Sequence, residues 1–233
     1  MKKIGLIVFI FALVAGVSLA SLSSFGTASE KIFSFNVNWG KEKGSGSVKT
    51  ESREVSDFTR LNVNGAFEVE FTAQKDFSME VEADDNLLPL IKTEVEDGTL
   101  IIRNDKSIKT ANPLKVRISA PDLSLLGLSG ASKVNIVNLN NDSLKLDSSG
   151  ASKIRIEGTT RDFEVEMSGA SRLDAENLKA ENVFVESSGA SNATVFVTNI
   201  LKADLSGATN VIYSGNPVSV QKNTSGASSV KGK

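Results

Sequence analysis

An all-β fold is what this sequence predicts: a right-handed parallel β-helix, or solenoid, preceded by an antiparallel or mixed β region. Three observations carry the prediction. A four-residue motif, Ser-Gly-Ala-Ser with one Ser-Gly-Ala-Thr variant, recurs six times at spacings of 18 to 20 residues. Apolar and polar residues alternate on both sides of every copy. Residues 53–120 alternate in the same way, with almost no helical periodicity.

The repeat occupies residues 121–233. Its copies open on Ser129-Gly130, Ser149-Gly150, Ser168-Gly169, Ser188-Gly189, Ser206-Gly207 and Ser225-Gly226. A fixed period near 20 residues with short strands is a solenoid signature. Five residues after the first serine stand Val134, Ile154, Leu173, Ala193, Val211 and Val230, all apolar. Three residues before it stand Leu126, Leu146, Val165, Val185, Ala203 and, in the last copy, Lys222. Five before it, Leu144, Phe163, Val183 and Leu201 hold the same face. That is period-2 alternation with one buried face. A coil of 19–20 residues suits two or three short strands joined by tight corners. Each strand then pairs in parallel with its equivalent one coil away, about 4.8 Å distant. Parallel crossovers are nearly always right-handed.

The motif itself reads as the corner. Glycine bends the backbone freely, alanine is small enough for the inside of the bend, and the serine hydroxyls can satisfy corner N–H and C=O groups. Stacked serines could also bond to one another along the axis. The last copy departs from the pattern, because Lys222 replaces an apolar residue. It reads as a capping end whose charge discourages end-to-end stacking.

Upstream, Leu61, Val63, Phe67, Val69, Phe71, Met79, Val81 and Ala83 alternate with polar neighbours. Leu100 with Ile102 and Val116 with Ile118 do the same. Asn64-Gly65 and Asp97-Gly98 are turn signals between such runs. The one helical candidate, residues 84–91, is limited by Pro89 to about one turn, with Asp or Asn as its cap. Residues 21–52 read as an exposed linker, ending in a Gly/Ser/Lys stretch over 40–47. Trp39, the only tryptophan, stands just before that stretch.

The first twenty residues fit a signal peptide. Lys2 and Lys3 precede the apolar run Ile4–Val17, and Ser18-Leu19-Ala20 supplies small residues for cleavage after Ala20. The alternative is an uncleaved anchor, since Ile4–Ala20 is near the lower limit for spanning a bilayer. No cysteine follows, so lipid attachment through a cysteine is excluded. Expected locations are the periplasm, the cell surface or the medium.

Composition removes several chemistries. The chain has no Cys and no His. Disulfides, thiolate chemistry, Ser-His-Asp triads and most zinc sites fall away. Net charge is −2, and −4 once Lys2 and Lys3 are set aside. A mildly acidic chain with no basic run does not read as a nucleic-acid binder. A catalytic serine is needed once, beside a base. A serine repeated six times without any histidine is structural, so no catalytic residue, cofactor or metal is expected.

The columns beside the motif carry more information. Two residues before it stand Asp147, Glu166, Glu186 and Asp204, which stacking would align into an acidic ladder. Just after it stand Lys133, Lys153 and Arg172, a basic ladder across the corner. Like charges at such spacing repel by about 1 kcal/mol in water. Three readings stay open: ordinary solvated faces, pairing across the corner or with adjacent faces, or Ca²⁺ on the acidic column. Local Ca²⁺ signatures are absent from the sequence.

The stretch Arg60-Leu-Asn-Val-Asn-Gly-Ala-Phe-Glu-Val-Glu-Phe, then Val81-Glu-Ala-Asp-Asp-Asn-Leu-Leu, then Glu94-Val-Glu-Asp-Gly-Thr-Leu-Ile-Ile, followed by recurrent Ser-Gly-Ala-Ser, resembles the putative auto-transporter adhesin head GIN domain family. The resemblance runs from about Arg53 to Val230. It implies a mostly β protein with a right-handed β-helix, exported from the cytoplasm and adhesin-like. It supplies no catalytic residues. Many family members resemble lipoproteins, a route this cysteine-free chain lacks.

Together these readings point to a non-enzymatic, exported binding or scaffold protein. Its regular faces would meet an extended partner, a glycan or another envelope protein. The alternatives are a purely structural or stress-related envelope protein and, further off, a carbohydrate-active β-helix enzyme.

Overall fold

The structure is a computed structural model and describes residues 41–233. The signal-peptide reading of residues 1–20, most of the linker reading and Trp39 lie outside the described residues.

The chain begins with β1 (Glu42–Lys43), β2 (Val48–Ser52), β3 (Arg60–Gly65), β4 (Glu68–Thr72) and β5 (Ser78–Asp84). A 3-10 turn at Leu88–Leu90 precedes β6 (Ile91–Glu96), β7 (Thr99–Asn104), β8 (Ile108–Lys109) and β9 (Lys115–Ser119). The solenoid follows as β10 (Leu125–Gly130), β11 (Lys133–Gly150), β12 (Lys153–Gly169), β13 (Arg172–Gly189) and β14 (Asn192–Gly207). It closes with β15 (Asn210–Ser214), β16 (Ser219–Thr224) and β17 (Ser229–Gly232).

From β10 onward every pairing is parallel, so the predicted solenoid is present. Each of β11 to β13 makes one coil, with its hydrogen-bond ladder running on around the bends. The register slips once between Ile136 and Leu139, and again between Arg155 and Gly158 in the next coil. Those slips mark a second bend, which Asn138 and Gly158 enter with positive φ. The first bend is the Ser-Gly-Ala-Ser corner, so the two bends divide each coil into short sides.

Antiparallel pairing is confined to the N-terminal end, where β2 pairs β5, β5 pairs β9 and β6 pairs β7. This is the mixed β region. Asp97-Gly98 turns β6 into β7 with both residues at positive φ, as its turn signal requires. Asn64-Gly65 does something different. Gly65 lies in register under Gly130, and Ala131 donates its N–H to the Gly65 carbonyl at 2.9 Å. Asn64-Gly65-Ala66 is therefore a degenerate first copy of the corner rather than a hairpin turn.

Inward residues stack into columns. One runs Val95, Leu100, Leu61, Leu126, Leu146, Val165, Val185, Ala203, Lys222 across β6, β7, β3, β10 to β14 and β16. A second runs Glu51, Val81, Val116, Val69, Val134, Ile154, Leu173, Ala193, Val211, Val230 from β2 to β17. Their interior members are at most 2% exposed. No single coil could bury such a column, so stacking is the source of the core.

Two local expectations are corrected. Residues 84–86 do not cap the 3-10 turn through a side chain. They hold the incoming chain: Asn86 accepts from the Ser45 N–H at 2.9 Å and donates to the Lys43 carbonyl at 2.9 Å. Asp84, 1% exposed, accepts from Thr110 Oγ1 and Asn112 Nδ2 at 2.9 and 2.6 Å. Within the stretch read as linker, Val48–Ser52 is exposed at every position yet pairs along β5 as an edge strand.

Candidate functional site

The corner sets the geometry of everything beside it. The glycines stack directly: a methyl group on Gly169 would overlap the carbonyl oxygen of Gly150, and the same holds at each later copy. The alanine is exposed in the copies from Ala131 to Ala208, not tucked inside the bend as expected. The inside position belongs to the motif's last residue. Ser132, Ser152, Ser171, Ser191 and Thr209 are at most 3% exposed.

These buried hydroxyls form a ladder between coils. Ser191 Oγ accepts the Ser171 N–H at 3.3 Å and donates to the Gly169 carbonyl at 3.3 Å. Ser171 repeats both bonds one coil earlier, to the Ser152 N–H at 3.1 Å and the Gly150 carbonyl at 3.3 Å. Ser132 extends the ladder to Phe67 and Gly65 of the N-terminal region. The motif's first serines, by contrast, are exposed on the outer face.

A rigid corner fixes the outward columns in register. Asp147, Glu166, Glu186 and Asp204 pair in sequence across β11 to β14, and Asn223 follows on β16. Beside them runs the column of Ser149, Ser168, Ser188 and Ser206. The two columns line a groove of about 430 Å³. On its other flank the column reads Lys145, Glu164, Phe184, Lys202. Phe184 is 39% exposed, an aromatic ring on an otherwise polar face.

Charge within this face is only partly balanced. Lys145 Nζ donates to Glu166 at 2.6 Å and to Glu164 at 2.9 Å. The ammonium holds the Glu166 carboxyl below its ordinary value, and Glu166 with Glu164 pushes Lys145 upward. Among the described residues, Asp147, Glu186 and Asp204 have no cationic side chain within 4.0 Å. Pairing therefore runs within the outer face, through a lysine the sequence reading passed over.

The basic column is also in register, as Lys133, Lys153 and Arg172. It lies on the far side of the corner from the acidic column, and no ion pair joins the two among the described residues. Lys133 instead approaches Glu68 at 3.9 Å. No three acidic side chains among the described residues converge in a geometry that could hold a metal ion. The Ca²⁺ reading thus finds no coordinating set.

Sequence reasoning found both charged columns but missed Lys145, Phe184 and the buried hydroxyl ladder. A charge at the position two residues before Asp147 was the available signal for Lys145. The hydroxyl kept at the motif's last position in every copy was the signal for the ladder, although that of Thr209 bonds the Ser206 carbonyl instead.

No functionally curated protein matches the chain in sequence. Solved structures share its fold. A putative adhesin from Bacteroides fragilis superposes with a TM-score of 0.68 at 24% identity, covering 82% of this chain and all of its own. A putative adhesin from Parabacteroides merdae gives 0.52 at 17% identity over 83% of this chain and 99% of its own. A putative lipid binding protein from Parabacteroides distasonis gives 0.50 at 19% identity over 83% of this chain and all of its own. The family model described as putative auto-transporter adhesin, head GIN domain, matches residues 57–217. With most of the chain matched in sequence and the stacked coils in place, this chain belongs to that family.

Proposed function

We propose that the chain is an exported, adhesin-like protein without catalytic activity. It presents the face bearing Asp147, Glu166, Glu186 and Asp204 to an extended partner. The observation that carries the reading is the register of that face. Carboxylates and serine hydroxyls repeat once per coil, on strands fixed by their neighbours, beside a groove.

A glycan suits this face best. Carboxylates and hydroxyls can share hydrogen bonds with sugar hydroxyls, and the Phe184 ring offers an apolar platform for a sugar's C–H face. The repeat of about 4.8 Å between coils favours a partner that is itself extended. The short coils favour binding over catalysis, since they leave no long insertion on which an irregular site could be built. Family membership and the adhesin-like relatives support the same reading. Export rests on the signal-peptide pattern of residues 1–20.

Labelled purified protein tests it against intact cells, a panel of extended glycans and envelope extracts. The expected result is glycan binding that falls at least tenfold in an E166A/E186A/D204A variant whose melting temperature matches wild type. Binding only to a protein in the extracts would transfer the site to an envelope protein. Binding to none of the three would end the adhesin reading and leave a structural envelope role. Cell fractionation tests export, which a cytoplasmic location would overturn.

A further inference from the structure

Among the described residues, both ends of the solenoid leave sheet edges on which another strand could add. At the C-terminal end these are β16 and β17; at the N-terminal end they are β6 and β2. Each pair of edges closes the same two core columns. One column ends on Val95 at the N-terminal side and Lys222 at the C-terminal side. The other ends on Glu51 and Val230.

The charges are placed diagonally. If the C-terminal edges of one copy stacked on the N-terminal edges of the next, both columns would continue across the junction. Lys222 would then face Val95, and Glu51 would face Val230. The first contact would enclose Lys222, which has no ion-pair partner among the described residues, and the second would enclose Glu51 with Arg53, an ion pair whose desolvation costs more than apolar burial would. Val95, 39% exposed, offers apolar surface that such a junction would bury. Inward-pointing charge on an edge strand is a known means of blocking edge pairing.

A second device reinforces the N-terminal end. Arg53 pairs with Glu51 at 2.9 Å and donates to the carbonyls of Ile91 and Leu88 at 2.7 and 3.0 Å. Its guanidinium thereby ties the end of β2 to the start of β6 and keeps Glu51 in place.

We propose that Glu51 and Lys222 are edge guards, which keep copies of this chain from stacking end to end through β16 and β17 on β6 and β2. The test is the solution mass of the purified protein, measured by light scattering over a hundredfold concentration range. Wild type should keep one mass throughout. E51V/K222V should gain mass with concentration and form linear assemblies. Adding V95K to that variant should restore the wild-type mass, because it returns a charge to the junction. K179V/E181V, the same exchange of exposed charges on a lateral face, should behave as wild type.

Far-UV circular dichroism checks that each variant folds, and K222V alone serves if the double variant does not. A folded E51V/K222V with wild-type mass at every concentration would overturn the proposal. So would equal assembly by K179V/E181V, assembly that survives V95K, or end-to-end assembly of wild type.

Discussion

Gly169 has space on its Cα for a hydrogen and nothing larger. It sits at φ 145° with the Gly150 carbonyl against it. Gly46 has positive φ too, at 85°, but nothing within 4 Å of where a methyl would go. The pair separates backbone strain from steric overlap. Alanine at Gly46 should cost about 1–2 kcal/mol, the left-handed penalty alone. Alanine at Gly169 should cost about 3 kcal/mol or more, since two coils must move apart as well. Equal losses in chemical denaturation would show that the stack is looser than described. The buried hydroxyls allow a similar comparison. Ser191→Ala strands the buried Ser171 N–H and leaves the Gly169 carbonyl to the Ala190 N–H alone, at about 1–3 kcal/mol. Ser191→Thr keeps a hydroxyl in the corner and should cost less than Ser191→Ala, although Thr209 one coil later turns its own hydroxyl to the Ser206 carbonyl. Ser188→Ala, on the exposed side of the same corner, should stay within about 0.5 kcal/mol. A neutral Ser191→Ala would mean the ladder contributes nothing.

The N-terminal elements are held by polar contacts as much as by core. β2 buries none of its residues, so its place depends on the loop before it. That loop is fixed by Asp84, Asp85 and Asn86, with Ser45 Oγ donating to Asp85 at 2.6 Å. Asn112 and then Thr110 bond Asp84 and hold its carboxyl below the ordinary value. A depressed folded value means that Asp84 contributes stability above its unfolded value of about 3.9, and that this is lost as pH falls through the folded value. Hydrogen exchange at residues 44–52 should therefore accelerate below about pH 4, before the coils open. D84A should produce the same acceleration at neutral pH. If the coils and this segment opened together in both experiments, the clamp would not be a separate unit. None of this was legible beforehand, because Asp-Asp-Asn before Leu-Leu-Pro has the composition of a helix cap. Its partners stand 26 to 43 residues away, beyond any local pattern. The coils were legible for the opposite reason. Their contacts recur at one period, so columns such as Val134–Ile154–Leu173 could be aligned on the motif alone. The second bend escaped that alignment because Asn138 and Gly158 share no residue type, and the first corner escaped because Asn64-Gly65-Ala66-Phe67 lacks both serines. The acidic column was legible as a column, whereas its partial neutralisation by Lys145 needed the outer face in three dimensions.

Across the whole molecule, stability should vary with position along the solenoid axis. A coil in the middle is paired on two sides: β12 lies between β11 and β13 over nearly its full length. Among the described residues, the last strands are paired on one side only, β16 on β14 and β17 on β15. Burial follows the same gradient. Phe163 and Val165 in β12 are at most 1% exposed, while Val220 in β16 is 37% exposed and Lys222 stands where earlier coils bury an aliphatic residue. In a stacked array, stability is a sum of coil and nearest-neighbour terms, so an end coil lacks one interface term. Local opening then costs least at the end and most in the middle. Native-state hydrogen exchange should rank the amides of β16 and β17 as the fastest of the coil strands and those of β12 and β13 as the slowest. Gly169→Ala reports on the same gradient from inside. By weakening the junctions on either side of β12, it should raise exchange there towards the rate of β16. Uniform protection from β11 to β17, unchanged by Gly169→Ala, would show one cooperative unit and rule out additive stacking as the source of stability.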